Sequence, residues 1–255
     1  MLLLLLLAVA RSTFCERALF PHGLPAIRSS FDDISRSSTF RLYSVARLPH
    51  SSLRVVLYSA GVDYHAARDN DYRVFVGLLE RSNGRLLVRD RREITGQLPN
   101  FTDAPGNFLD AGGSVHAFAI ADEGPIVDAN VWSLLSGTGG IMVGTDFLFR
   151  VEGGRLVPLG SIPDTESFAR GGVSQTTEEW SSLFHGSHTV VVLTTHAISK
   201  REAPARCEVT WTRYELEGGT LRKGEGLSST EASALRAGMK MIRGPSRPAH
   251  VLKCE

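Results

Sequence analysis

The sequence predicts an all-β protein, built from antiparallel four-stranded units repeated about three times and followed by a short C-terminal helix. Three observations predict it. Period-two runs rich in Val, Leu, Phe, Tyr and Thr fill the middle of the chain. Three of these runs fold back at a glycine turn, at Asn83-Gly84, Gly153-Gly154 and Gly218-Gly219. Past the last of them, Ser228-Ser-Thr-Glu231 has the form of a helix capping box, with Leu235, Met239 and Ile242 following at helical spacing.

From the N-terminus, residues 1–10 (Met1 to Ala10) are unbroken by polarity. A run of about nine apolar residues covers roughly 14 Å as a helix, less than a hydrocarbon core of about 30 Å. It suits the h-region of a secretory signal, and Ala8-Val9-Ala10 supplies a small-x-small cleavage site. No other stretch is apolar enough to span a membrane, so no span is expected after processing. A second address competes. Residues 11–50 are rich in Arg and Ser and hold only Glu16, Asp32 and Asp33 as acids, the bias of an organellar transit peptide. Arg41-Leu-Tyr-Ser44 has the form of a mitochondrial processing site, which would extend the targeting segment to about residue 43. Because the leucine run comes first, the expected address is secreted or periplasmic, with the mitochondrion as the alternative.

The β-repeat body is expected over 39–225. Its clearest hairpin is Asp146 to Glu152, a Gly153-Gly154 turn, and Arg155 to Leu159; Phe147, Phe149 and Val151 share one face. The design recurs at Tyr72 to Leu79 with Arg85 to Arg89, and at Glu208 to Leu216 with Thr220 to Lys223. Ahead of each hairpin stands an apolar strand, at Leu53 to Ser59, Ile126 to Leu135 and Thr189 to Thr195. Weaker candidates precede these at Thr39 to Leu48, Ser114 to Ala121 and Glu179 to Phe184, so the units start near 39, 114 and 179. In architecture this resembles β-propeller blades, although the chain carries no WD dipeptide, kelch signature or aspartate box. The alternative is one or two antiparallel sheets packed as a sandwich. A helix over 227–243 and a tail over 244–255 complete the expected organisation.

Composition bounds the function. The chain has 255 residues, is 42% hydrophobic and 22% charged, and carries a net charge of +1. That apolar content excludes a disordered chain, and the charge balance excludes an obvious nucleic-acid protein. Only Lys200, Lys223, Lys240 and Lys253 are lysines among 28 basic residues, but the arginines are scattered and name no partner. Of the cysteines Cys15, Cys207 and Cys254, the last two could pair in an oxidising compartment and staple the C-terminal tail to the body.

No constellation carries a sharp catalytic signature. The Gly137 to Gly144 stretch lacks the Lys-Ser/Thr end of a phosphate loop. His185, His188 and His196 cluster without zinc-ligand spacing, and no metal or cofactor is expected. Asp69, Asn70 and Asp71 crowd the loop before the first hairpin. Asp128, Asn130 and Trp132 occupy the second unit. Calcium would require an ordered ligand spacing that these oxygens lack. The residues expected to contact a ligand are Asp69, Asp71, Asp128, Asn130 and Trp132. The long loops Gly96 to Gly113, which holds the Asn100-Phe-Thr102 sequon, and Thr165 to Thr177 are expected to add a recognition surface. The expectation is an exported, non-enzymatic binding or scaffold protein for an unknown protein or small-molecule ligand. One alternative is a glycosidase-like hydrolase with carboxylates converging in a central cleft. The other is a subunit of a mitochondrial assembly.

Overall fold

The computed structural model describes residues 39–61, 73–83, 85–94, 108–120, 123–135, 141–171, 175–200 and 205–245. The first sheet runs β1 (Thr39–Arg47), β2 (Arg54–Gly61), β3 (Arg73–Ser82) and β4 (Arg85–Glu93), each paired with the next. The second runs β5 (Phe108–Ile120), β6 (Gly124–Leu135), β7 (Ile141–Glu152) and β8 (Arg155–Gly171). The third runs β9 (Gln175–His185), β10 (Thr189–Lys200), β11 (Arg206–Glu217) and β12 (Thr220–Gly226). Then come α1 (Ser229–Arg236) and β13 (Lys240–Arg243). The protein is all-β with a short C-terminal helix, its sheets are antiparallel, and they form no closed barrel. Unit starts expected near 39, 114 and 179 fall at Thr39, Phe108 and Gln175.

Two of the hairpins turn on paired glycines at positive φ, 56° and 77° at Gly153 and Gly154, and 57° and 79° at Gly218 and Gly219. Two consecutive positive φ values match the right-handed twist of the flanking strands, and a Cβ at either position would be strained.

The second sheet is the middle layer. Val127, Ala129, Val131, Phe147 and Phe149 pack against Val55, Leu57, Val74, Val76 and Leu78 of the first sheet. Their chain neighbours Ile126 and Leu148 join Leu183, Val190, Val192, Tyr214 and Leu216 of the third sheet in a separate core. Successive side chains on a strand point to opposite faces, so β6 and β7, apolar on both, bury both. Each fully buried Leu, Val or Phe contributes about 1.5–3 kcal/mol of transfer free energy.

β8 breaks that alternation once, and the break matters. Pro158 pairs with Phe149 and Gly160 with Leu148, leaving Leu159 as an extra residue. This bulge inverts the parity of the strand. Leu156 lies in the core against the first sheet, whereas Ile162, an even number of residues later, lies in the core against the third. Gly160 takes φ 147°, and a Cβ there would lie 3.1 Å from Leu221 Cβ of β12, so the bulge also brings the third sheet's edge close.

The same strand joins two sheets. Its Arg155–Glu166 stretch pairs with β7, and Ser167–Gly171 then pairs with Gln175–Glu179 of β9. Where β8 has left β9, β13 takes its place, pairing Lys240, Met241 and Arg243 with His185, Phe184 and Leu183. This accounts for a difference from expectation. The helix predicted over 227–243 ends at Arg236, and 240–243 is a strand. Backbone bonds from Gly238 N to Leu235 O and from Met239 N to Arg236 O tighten the chain out of the helix, and the vacant β9 edge offers the next residues a ladder. The segments expected as long loops are likewise partly strand, since Phe108–Gly113 belongs to β5, Thr165–Gly171 to β8 and Gln175–Thr177 to β9. The capping box does form, with Ser228 Oγ accepting from Glu231 N and Glu231 Oε2 accepting from Ser228 N at 2.9 Å. No helix among the described residues is long and apolar enough to cross a membrane.

Candidate functional site

Asp128 and Asn130 alternate along β6 with Val127, Ala129 and Val131, which face the first sheet. They therefore face the third. The register places Asn130 opposite Asp146 of β7 and Gly144 opposite Asp164 of β8, bringing four polar side chains onto one face of the middle sheet. Asp164 reaches that face only because of the bulge at Leu159. All four are buried: Asp128, Asn130 and Asp146 are 0% exposed and Asp164 is 2% exposed.

Charge balance comes from the other end of the chain. Ile242 is the extra residue of a bulge in β13, so both it and Arg243 turn inward, Ile242 onto the apolar core and Arg243 onto the acids. Arg243 Nε donates to Asp146 Oδ1 at 2.7 Å and Nη2 to Asp146 Oδ2 at 2.5 Å, a bidentate fork. Nη2 also lies 3.0 Å from Asp164 Oδ2. Nη1 donates to the carbonyls of Ser181 at 3.4 Å and Gly244 at 3.2 Å. The five donors of the guanidinium thus have five acceptors. The Asn130 amide bridges the same acids, 2.8 Å from Asp146 Oδ1 and 2.9 Å from Asp164 Oδ2. Burial alone would lower the pKa of Arg243, but the charge and hydrogen bond of Asp146, with the charges of Asp164 and Asp128, outweigh it and raise the value above the ordinary one, so the cation is held.

Asp128 differs from its neighbours. No N–H or hydroxyl donor reaches either of its carboxyl oxygens. Burial, then the charge of Asp146 beside it, push its pKa well above the usual carboxylate value, and Arg243 only partly opposes them. For a buried carboxyl without donors this favours the protonated form, in which Asp128 can bond to Asp146 as an acid. Across the ladder from Asp128 stands His116 of β5, its Nε2 3.0 Å from Ser114 Oγ. Burial and then Arg243 lower the pKa of His116, favouring the neutral ring. Tyr214 of β11 also borders the cluster, its pKa raised by burial and then by Asp146.

Of the residues expected to bind a ligand, Asn130 bonds Asp146 and Asp164 within the chain, and Asp128 is buried beside them. Trp132 is half-buried, its indole lying over Gly112 of β5. Asp69 and Asp71 lie outside the described residues. Cys207 is disulfide-bonded, and Cys15 and Cys254 both lie outside the described residues. His185 and His196 fall far apart along the ladder, since His185 pairs with Val190 and His196 with Glu179. Among the described residues, no group of three or more His, Cys, Asp or Glu side chains is arranged to hold a metal ion.

Sequence reasoning passed over Asp146, Asp164, Arg243 and His116. One signal for Asp146 was available: Phe147 and Phe149 claim one face of β7, so Asp146 shares the other with Leu148. Chemically, the arrangement is a closed ionic and hydrogen-bonded joint between two sheets, with its acids turned away from solvent. No protein family model, curated protein or solved structure matches this chain.

Proposed function

We propose that the chain is an exported, non-enzymatic β-repeat protein that acts as a binding or scaffold module. The observation carrying this reading is the burial of its convergent carboxylates. Asp128, Asp146 and Asp164 do come together, as a hydrolase would need, but their exposures of 0%, 0% and 2% leave no face for a substrate. The guanidinium of Arg243 fills the space between Asp146 and Asp164 where a scissile bond would have to enter.

Two further observations support export over an organellar address. Cleavage near Ser44 would cut β1 in half and remove Leu42, 3% exposed, and Tyr43, whose hydroxyl bonds Ser59 Oγ at 3.0 Å. Cleavage after Ala10 would leave β1 whole. The disulfide at Cys207 also fits an oxidising compartment.

The test has two parts. The purified chain, assayed against chromogenic glycosides and esters, is expected to give no turnover above buffer. Turnover abolished by Asp146→Asn or Asp128→Asn would replace this reading with a hydrolase. N-terminal sequencing of the mature chain is expected to start near Arg11, and a start near Ser44 would reverse the address.

A further inference from the structure

The joint between the second and third sheets sets three carboxyl groups against one guanidinium. Asp146 and Asp164 share Arg243, and Asp128 stands beside them with both oxygens away from any donor. The strand that delivers Arg243 is only Lys240–Arg243, held on one side by β9. Met241 within it is 63% exposed, so little apolar burial beyond Ile242 holds the strand down. Beyond the β9 ladder and Ile242, its attachment rests on the ionic contacts of Arg243.

We propose that the cluster is a proton-dependent latch, in which β13 stays docked while a proton resides on Asp128 and releases when that proton leaves. The reasoning is electrostatic. With the proton present, the cluster holds two carboxylates against one guanidinium. Without it, three carboxylates converge in a buried, poorly screened space, and the opening most available is to move β13 and hydrate the acids. Opening returns Asp128 to water, where it gives up its proton at ordinary carboxylate pH. The open form therefore binds one proton fewer, and rising pH drives release.

Among the described residues, few groups face Asp128. His116 faces it from β5, Asp146 from β7, Asp164 from β8 and Arg243 from β13, while Tyr214 of β11 borders Asp146. Glu179 of β9 and His196 of β10 share the register face of Ser181 and Thr194, further along the strands. His116, lowered, titrates on the acid side, and Tyr214, raised, on the far alkaline side. Between those limits Asp128 is the group whose proton the geometry requires.

The experiment is hydrogen exchange on the full mature chain from pH 6 to pH 9, with intrinsic rates divided out. Protection of the Lys240–Arg243 amides is expected to fall by up to about tenfold per pH unit in the wild type. It should stay level in Asp128→Asn, whose amide keeps the neutral form at every pH. Tyr214→Phe should retain the wild-type profile. Equal pH dependence in the wild type and Asp128→Asn would overturn the latch, as would flattening by Tyr214→Phe or a loss of protection spread evenly over all three sheets. Should Asp128→Asn fail to fold, the infrared C=O band of a buried protonated carboxyl decides. Its disappearance together with β13 protection supports the latch, and its persistence after β13 has opened overturns it.

Discussion

The first and third sheets meet the middle sheet through different chemistry. Against the first sheet the contact is dry, a run of Val, Leu and Phe with its polar contacts at the rim. There Asp90 of β4 accepts from Leu156 N at 2.8 Å and Arg92 donates to Leu156 O at 3.1 Å, capping backbone groups on the outer edge of β8. Against the third sheet an equally apolar core surrounds Asp128, Asn130, Asp146, Asp164 and Arg243. The difference teaches what each interface asks of the chain. Apolar faces tolerate exchange of one hydrophobic residue for another at modest cost. A buried ionic joint adds little net stability, yet it penalises every arrangement that separates its charges, and so fixes how the third sheet seats on the second.

The largest expected effect breaks the ionic interface. Arg243→Met leaves Asp146 and Asp164 buried without their cation and should cost about 3–5 kcal/mol in urea denaturation. Adding Asp146→Asn to Arg243→Met should cost less than the sum of the single changes, with a coupling of about 0.5–3 kcal/mol. Additive losses would show that the joint is no joint at all. Leu57→Ala, at a position 0% exposed in the dry interface, should cost about 2–4 kcal/mol. Its cost should not vary with pH, and a pH-dependent loss would erase the distinction between the two interfaces.

His116 sharpens the comparison. Its pKa in the fold lies below the ordinary 6.5, through burial first and Arg243 second. The unfolded chain therefore takes up a proton at a pH where the folded chain does not. The stability linked to this ring is complete above pH 6.5 and is lost as pH falls through the lower, folded value. His116→Gln should flatten that part of a stability–pH profile, and an unchanged acid limb would remove His116 from the joint. The smallest effect belongs to neither interface. Ser228→Ala removes the α1 cap and should cost about 0.5–1 kcal/mol, read as earlier exchange of the α1 amides. A loss as large as that of Arg243→Met would mean that α1 organises the third sheet.

Much of the fold was legible in the sequence, because alternation and turn glycines are local signals. Phe147, Phe149 and Val151 identify a strand without knowledge of what lies above it, and Gly153-Gly154 supplies the turn. The joint was half legible. Asp128 and Asn130 stood out as polar residues in an apolar strand, but their partners lie on β7, β8 and β13, and no local pattern links Asp146 to a residue ninety-seven positions away. Two parity changes concealed the rest, since the bulges at Leu159 and Ile242 turn Asp164 and Arg243 to sides that strict alternation would not give them. The helix expected over 227–243 forms only over Ser229–Arg236, and the strand that replaces its second half has a related reason. Leu235, Met239 and Ile242 fit a helical stripe, but Ile242 is buried from a strand whose place β8 left open.

That shared strand has a consequence for recombining the molecule. The units look alike in sequence, which suggests three interchangeable modules. Among the described residues only the first is separable, because its contacts with the rest are side-chain packing and rim hydrogen bonds. The second and third share β8 through continuous backbone pairing, and Arg243 locks the last residues of one onto the acids of the other. A chimera that replaces the first sheet needs only a matching apolar face. One that separates the second from the third must supply a new edge for β9 and a new cation for Asp146, so among the described residues the natural division for engineering lies between the first sheet and the other two.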